Sequence, residues 1–126
     1  MSMSKIIHVI IALVFVAFAV VQYNDADGWK WMIVYLLVAI IPLHKVFGKH
    51  WPAYTIGIAT ATILGLVINA DQVTSWIDAG KPAFIDYEPT NIQAVEDIRE
   101  YLGICISAVV SVGYVVAEFV KDRKSK

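Results

Sequence analysis

Four long apolar runs, separated by polar segments, most constrain what this chain can fold into. The runs cover residues 6–23, 29–47, 51–70 and 101–120. Because lipid offers the backbone no hydrogen-bond partners, a segment that crosses the ~30 Å hydrocarbon core must be a helix of about 20 mainly apolar residues. The sequence therefore predicts an all-α fold, a four-helix transmembrane bundle in one domain over residues 1–126, with an outer loop at residues 71–100.

The composition agrees with a membrane protein and excludes some classes of function. The chain is 59% hydrophobic and only 17% charged, which is outside the usual range of a soluble domain. Its net charge of -1 gives no case for nucleic-acid binding, which would need a clustered basic face to neutralise the phosphates. The single cysteine, Cys105, excludes an internal disulfide and a CxxC site.

The basic residues are distributed unevenly along the chain. Seven of the ten fall in the N-terminus, the second loop and the C-terminus: Lys5, Lys45, Lys49, Lys121, Arg123, Lys124 and Lys126. Four spans place these three segments on one side, and Lys and Arg resist translocation, so both termini are predicted to be cytoplasmic. The acidic residues from Asp25 to Glu100 then face outward. We expect a multi-pass protein of the inner or plasma membrane.

Small residues recur at helical spacing on two of the predicted spans. The third span carries Gly57, Ala61 and Gly65, and the fourth carries Gly103, Ser107 and Ser111. Membrane helices associate by close backbone approach over small residues, so we expect both faces to be buried in the bundle. The alternative is that these faces mediate self-association or contact with other membrane subunits.

Two local signals bear on where the second and fourth helices begin and end. Pro42 interrupts the last turns of the second span and is predicted to kink or end it. Thr90 followed by Gln93 has the spacing of a capping box, and apolar residues then recur with helical period. The fourth helix is therefore predicted to begin two to three turns outside the membrane.

The first outer turn and the start of the fourth helix together form the main candidate site. Its residues are Asn24, Asp25, Asp27, Glu96, Arg99 and Glu100. In one interpretation Arg99 pairs with Asp25 or Asp27 and links the first hairpin to the last helix. In the other, Asp25, Asp27 and Glu100 supply oxygen ligands to a divalent cation. Nothing in this cluster specifies a catalytic reaction.

A second group of ionisable residues lies near the predicted cytoplasmic ends of the spans. It comprises His8, His44, His50 and Glu118. Charges inside a span are costly, so we expect Glu118 to form a salt bridge near the interface, with Lys121, Lys5 or His8 as its partner. The alternative is that the histidines bind haem or another metal, as in a membrane redox protein.

A small-molecule carrier or channel would need a polar path through the bundle. The hydroxyl residues available for one are Thr55, Thr60, Thr62, Ser107 and Ser111. Hydroxyls inside a helix usually donate to carbonyls of the preceding turn, so we expect them to serve their own helices.

Two short segments resemble a known family. The stretch QYNDADGWKWMIVY is similar to the NDPDP…W…Y segment of the transmembrane protein 220 family, and EDIREYLG resembles its E-x-x-R-E…G segment before the last helix. Ala26 and Gly28 stand where that family usually has prolines, which should loosen the turn. The resemblance extends over the four-helix layout and implies a membrane location without implying an enzymatic activity. It also marks Asn24, Asp25, Asp27, Arg99 and Glu100 as motif positions.

Taken together, these patterns predict a small integral membrane protein without enzymatic activity. We expect it to act as an accessory or scaffolding unit, with membrane lipid and other membrane subunits as its partners. No cofactor is predicted, apart from a divalent cation at the outer cluster.

Overall fold

The computed structural model describes residues 2–24, 28–49, 51–83, 86 and 88–124, without the side chains of Asn24, Asp122 and Lys124. Within these residues the chain forms five α-helices and no strand. The helices are α1 (Met3–Val21), α2 (Gly28–Val46), α3 (Pro52–Ile68), α4 (Asp71–Asp78) and α5 (Ile92–Lys124), and a 3-10 turn, Gln22–Asn24, follows α1. The predicted all-α fold is confirmed.

The number of candidate membrane spans is three or four. The helices α1, α2 and α5 are long and apolar enough to cross a bilayer. The helix α3 has 17 residues and is followed by α4 at a bend of 40°, so the fourth span depends on counting this pair as one. The predicted transmembrane bundle is confirmed in this form, and the cytoplasmic placement of both termini stays a prediction.

The described chain divides into two compact units. The first unit comprises Met1–Ile58 and Ser111–Lys126, and the second comprises Ala59–Val110. The helices α3 and α5 each contribute residues to both units.

In the first unit, α1 and α2 pack together as a hairpin around aromatic side chains. Ser2 caps α1 by accepting a hydrogen bond from the Lys5 amide at 3.2 Å. Farther along, Phe15 and Phe18 contact Tyr35 of α2 with ring centroids 6.3 and 5.5 Å apart. Phe15 and Tyr35 are almost completely buried. Aromatic pairs at these distances add to the packing that holds the hairpin together.

The second helix continues through Pro42 to Val46, so the proline does not end the helix, and the alternative that it kinks the helix stays a prediction. Pro42 is buried, and within a membrane helix the neighbouring structure can compensate for the lost backbone bond. The turn after the helix contains Gly48, whose φ of +70° is a left-handed conformation that favours glycine. The Lys49 amide then donates to the His44 carbonyl at 2.8 Å, which closes a Schellman turn.

In the second unit, the predicted outer loop contains a helix and a hydrogen-bonded turn. The short helix α4 includes Trp76, whose indole donates to the Pro82 carbonyl at 2.9 Å. Asp86 accepts from the Glu88 amide and from the Asn91 side chain, at 2.9 and 3.1 Å, and so shapes the turn before α5.

The last helix is longer than a bilayer requires, as predicted. It has 33 residues and therefore rises about 50 Å, against ~30 Å for the hydrocarbon core. The Asn91 carbonyl accepts the first helical hydrogen bond, from the Val95 amide. The helix therefore begins at Ile92, one residue later than a cap at Thr90 predicts. The Gln93 side chain donates along the helix to Asp97 at 2.9 Å.

The two small-residue faces have different environments. On α5, Gly103, Ser107 and Ser111 are all buried, as predicted. On α3, Gly57 and Ala61 are exposed, and a Cβ at Gly57 would meet no atom within 4 Å, so the predicted burial of this face is wrong there. Gly65 is half-buried, with Ile104 3.4 Å from its Cβ position. The buried face of α3 instead carries Thr55, Ala59 and Thr62, which are four and three positions apart and so also lie on one side of the helix.

Candidate functional site

A buried ion pair lies in the first unit between the last turn of α2 and the C-terminal part of α5. Lys45 Nζ and Glu118 Oε1 are 2.5 Å apart, and the side chains are 21% and 8% exposed. At this degree of burial an unpaired charge would be strongly destabilising, whereas the pair neutralises both groups. The contact therefore fixes the end of α2 against α5.

One helical turn before Glu118 on the same helix, Tyr114 makes a second contact between helices. Its hydroxyl lies 2.6 Å from His8 Nδ1, and the two rings pack with centroids 5.3 Å apart. The other His8 nitrogen, Nε2, lies 3.4 Å from the Ser4 hydroxyl. With neutral His8, Tyr114 donates to Nδ1, so both ring nitrogens have partners within the chain.

His44 occupies a third position near this ion pair, packed against aromatic rings. Trp51 and Tyr54 meet its ring edge to face, with centroids 5.4 and 5.6 Å away. The Tyr54 hydroxyl donates to the Leu37 carbonyl of α2 at 2.5 Å. His44 Nδ1 is buried without a hydrogen-bond partner among the described residues. These contacts join the end of α2 to the start of α3.

We name this cluster the polar end: Ser4, His8, His44, Lys45, Trp51, Tyr54, Tyr114 and Glu118, all in the first unit. The structure brings three of the four predicted secondary candidates, His8, His44 and Glu118, into it, and the fourth, His50, lies outside the described residues. The partner predicted for Glu118 was wrong, because the carboxylate pairs with Lys45.

Sequence reasoning missed the two residues that contact Glu118 and His8 from other helices. Lys45 had been counted as a loop residue, although α2 continues past it to Val46. Tyr114 had not been considered, although it lies four positions from Glu118 and therefore on the same helix face. A polar pair at that spacing inside an apolar helix was the available signal.

The main predicted cluster is only partly described. Glu96 and Arg99 are exposed on α5, and Glu100 is half-buried and accepts a hydrogen bond from the side-chain Nε2 of Gln72 at 3.3 Å. Asp25 and Asp27 lie outside the described residues, and so does the Asn24 side chain. The pairing of Arg99 with an aspartate, and a cation held by Asp25, Asp27 and Glu100, therefore stay predictions.

The described residues contain no group of three or more His, Cys, Asp or Glu side chains arranged to hold a metal ion. Several intramembrane hydroxyls donate to their own helix, as predicted. Ser107 donates to the Gly103 carbonyl at 2.8 Å and Thr62 to the Ala59 carbonyl at 2.9 Å. Thr55 makes a longer contact with the Trp51 carbonyl at 3.4 Å.

Comparison with known proteins places the chain in a family. The family model described as "Transmembrane family 220, helix" matches residues 14–116, which is most of the chain. The chain belongs to transmembrane family 220. This agrees with the resemblance noted in the sequence and supports a small integral membrane protein. No curated protein and no solved structure matches it significantly.

The residues matched by the family 220 model include only part of the polar end. Lys45 and Tyr114 lie within the matched residues, whereas their partners Glu118 and His8 lie beyond its two limits. The candidate cluster of Asn24, Asp25, Asp27, Glu96, Arg99 and Glu100 lies entirely within the match.

Proposed function

We propose that this member of transmembrane family 220 is a non-enzymatic accessory or scaffolding subunit of a membrane assembly. The observation that carries this proposal is that polar side chains in the apolar helices bond to other side chains of the same chain. Glu118 is neutralised by Lys45, and His8 is bonded to Tyr114 and Ser4. A carrier needs polar groups that exchange partners with a substrate, whereas these contacts hold helices together.

The bonding of the hydroxyl groups supports the same proposal. The Ser107, Thr62 and Thr55 side chains contact carbonyls in their own helices, which stabilises the helix and does not require a transported ligand. Large apolar side chains remain exposed along α1, α3 and α5, among them Leu13, Val67 and Val109. Lipid or other membrane helices can cover such surfaces.

Native mass spectrometry of the chain, extracted gently from its own membrane, tests this function. We expect a complex heavier than one chain, whose extra mass corresponds to protein. A bare monomer that retains a stoichiometric small molecule would contradict the accessory role and favour a carrier. The same spectrum reports the stoichiometry of any self-association.

Two matched variants test which surface carries the association. Gly57→Leu/Ala61→Leu fills the exposed small-residue face of α3, and Val109→Leu makes a similar change at a position of α5 that is 72% exposed. If the α3 face is the contact, the first variant dissociates the complex and the second does not. If both variants retain the complex equally, the contact lies on another surface.

The divalent cation predicted for the acidic and arginine cluster requires a separate test. Calcium or magnesium is expected to raise the melting temperature of the wild type and not that of Asp25→Asn/Asp27→Asn. Glu96→Gln is the matched control, because this exposed residue is not among the predicted ligands. Equal shifts in wild type and the double variant reject the cation.

A further inference from the structure

Four exposed basic side chains lie close in sequence to residues of the polar end. Lys5, Lys49, Lys121 and Arg123 are all exposed and all belong to the first unit. In the described part of the chain, none of these four forms an ion pair, whereas Lys45 is neutralised by Glu118. We call these four residues the basic collar. Because these side chains are exposed, an external anion can reach their positive charge.

The contacts of the polar end bring the members of the basic collar to one end of the first unit. The His8–Tyr114 bond joins the start of α1 to α5, and the Lys45–Glu118 pair joins the end of α2 to the same part of α5. Three of these four contact residues have a collar residue three or four positions away. Lys5 precedes His8 by three positions, Lys49 follows Lys45 by four, and Lys121 follows Glu118 by three.

This spacing sets the level of the collar relative to the polar end. Three or four positions along a helix correspond to about 5 Å, so Lys5 and Lys121 lie about one turn beyond the buried contacts. The Schellman turn at Gly48 places Lys49 directly after α2, at the same end. Exposed apolar side chains accompany them, including Ile6, Phe47 and Phe119. Apolar surface next to cations is the pattern expected where acyl chains meet headgroups.

We propose that the basic collar binds the phosphate headgroups of anionic phospholipids. The charge balance at this end supports the proposal, because the buried Glu118 is already neutralised and the only other acidic residue in the C-terminal segment after it is Asp122. Lipid is favoured over a free anion because the cations border exposed apolar surface. The inference goes beyond the accessory function and does not depend on it.

The test uses the full chain in nanodiscs of phosphatidylcholine with or without phosphatidylglycerol. Native mass spectrometry after release counts the lipids that remain bound. The wild type is expected to retain phosphatidylglycerol over phosphatidylcholine, and Lys5→Gln/Lys49→Gln/Lys121→Gln/Arg123→Gln is expected to reduce that preference by about tenfold or more. The matched control is Lys30→Gln/Lys81→Gln, which removes two exposed cations outside the collar and should leave the preference unchanged.

Two further measurements keep the outcome decisive. Lys5→Arg/Lys49→Arg/Lys121→Arg retains the charge and should retain the preference, so a loss there would contradict the proposal. In the wild type, the preference should fall as salt rises from about 0.05 to about 0.5 M, since exposed charges are screened. An unchanged preference in the fourfold glutamine variant or at high salt overturns the proposal. If inorganic phosphate displaces the bound phosphatidylglycerol, the collar is a site for a free anion, and the lipid proposal is overturned.

Discussion

The polar end of the first unit and the predicted outer loop of the second unit both contain charged residues, but these residues are buried in the first region and exposed in the second. At the polar end, Glu118 and Lys45 are largely buried and bonded to each other. In the outer loop, Asp71 and Glu96 are exposed on helices. A buried charge must be neutralised within the protein, whereas an exposed charge is stabilised by water. Burial thus determines which charges hold the fold together.

The largest expected effect comes from removing one partner of the buried pair. Lys45→Met leaves the Glu118 carboxylate buried without a counter-charge and should lower the free energy of unfolding by about 3 kcal/mol. The unfolding free energy can be measured by denaturant titration of the purified protein in detergent.

The control for this prediction is the double variant Lys45→Met/Glu118→Leu, which removes both charges. It should recover most of the stability, because apolar residues of similar volume replace the pair without leaving a buried charge. If the double variant is as unstable as the single one, the loss is due to packing and the comparison between the two regions fails.

A smaller effect is expected for the tyrosines that join helices in each unit. Tyr114→Phe removes the partner of His8 Nδ1 in a buried site and should cost about 1–2 kcal/mol. Tyr101→Phe removes a 3.2 Å bond to the Leu66 carbonyl at a half-buried site and should cost about half as much. Thermal melts of both variants in one detergent compare them directly, and a larger loss for Tyr101→Phe would reverse the ranking.

The smallest effect is expected in the outer loop. Asp71→Asn and Glu96→Gln each change the charge of an exposed side chain and should alter stability by less than about 0.5 kcal/mol. The same thermal melts provide the measurement. A loss above about 1 kcal/mol at either position would mean that these carboxylates have structural roles similar to that of Glu118.

Much of the fold could be predicted from the sequence because apolar length is a direct consequence of the lipid environment. The bounds of α1 and α2 differ from the predicted spans by only a few residues. The alternative that Pro42 ends the helix came from a rule suited to water, where a broken helix can bond to solvent. In lipid the helix is the only well-bonded conformation, so α2 continues past it.

The contacts of the candidate site were harder to predict because they join residues far apart in the chain. His8 and Tyr114 are separated by 106 positions, and no local pattern relates them. His8, His44 and Glu118 were found because ionisable groups are unusual in apolar helices, a property of each residue alone. Their partners depend on how helices face each other, which composition and period do not encode.

The shortness of α3 has a consequence for the bilayer around it. Its 17 residues rise about 26 Å, which is a few Å less than the average hydrocarbon thickness. A hydrophobic segment shorter than the membrane is matched by local thinning of the lipid or by flanking residues that reach toward the headgroups. The bend of 40° after α3 turns the chain at that depth. As a span by itself, α3 would be matched best by thinner membranes, where the elastic cost of the deformation is smallest; as part of a bent span with α4 it is long enough and no such mismatch arises.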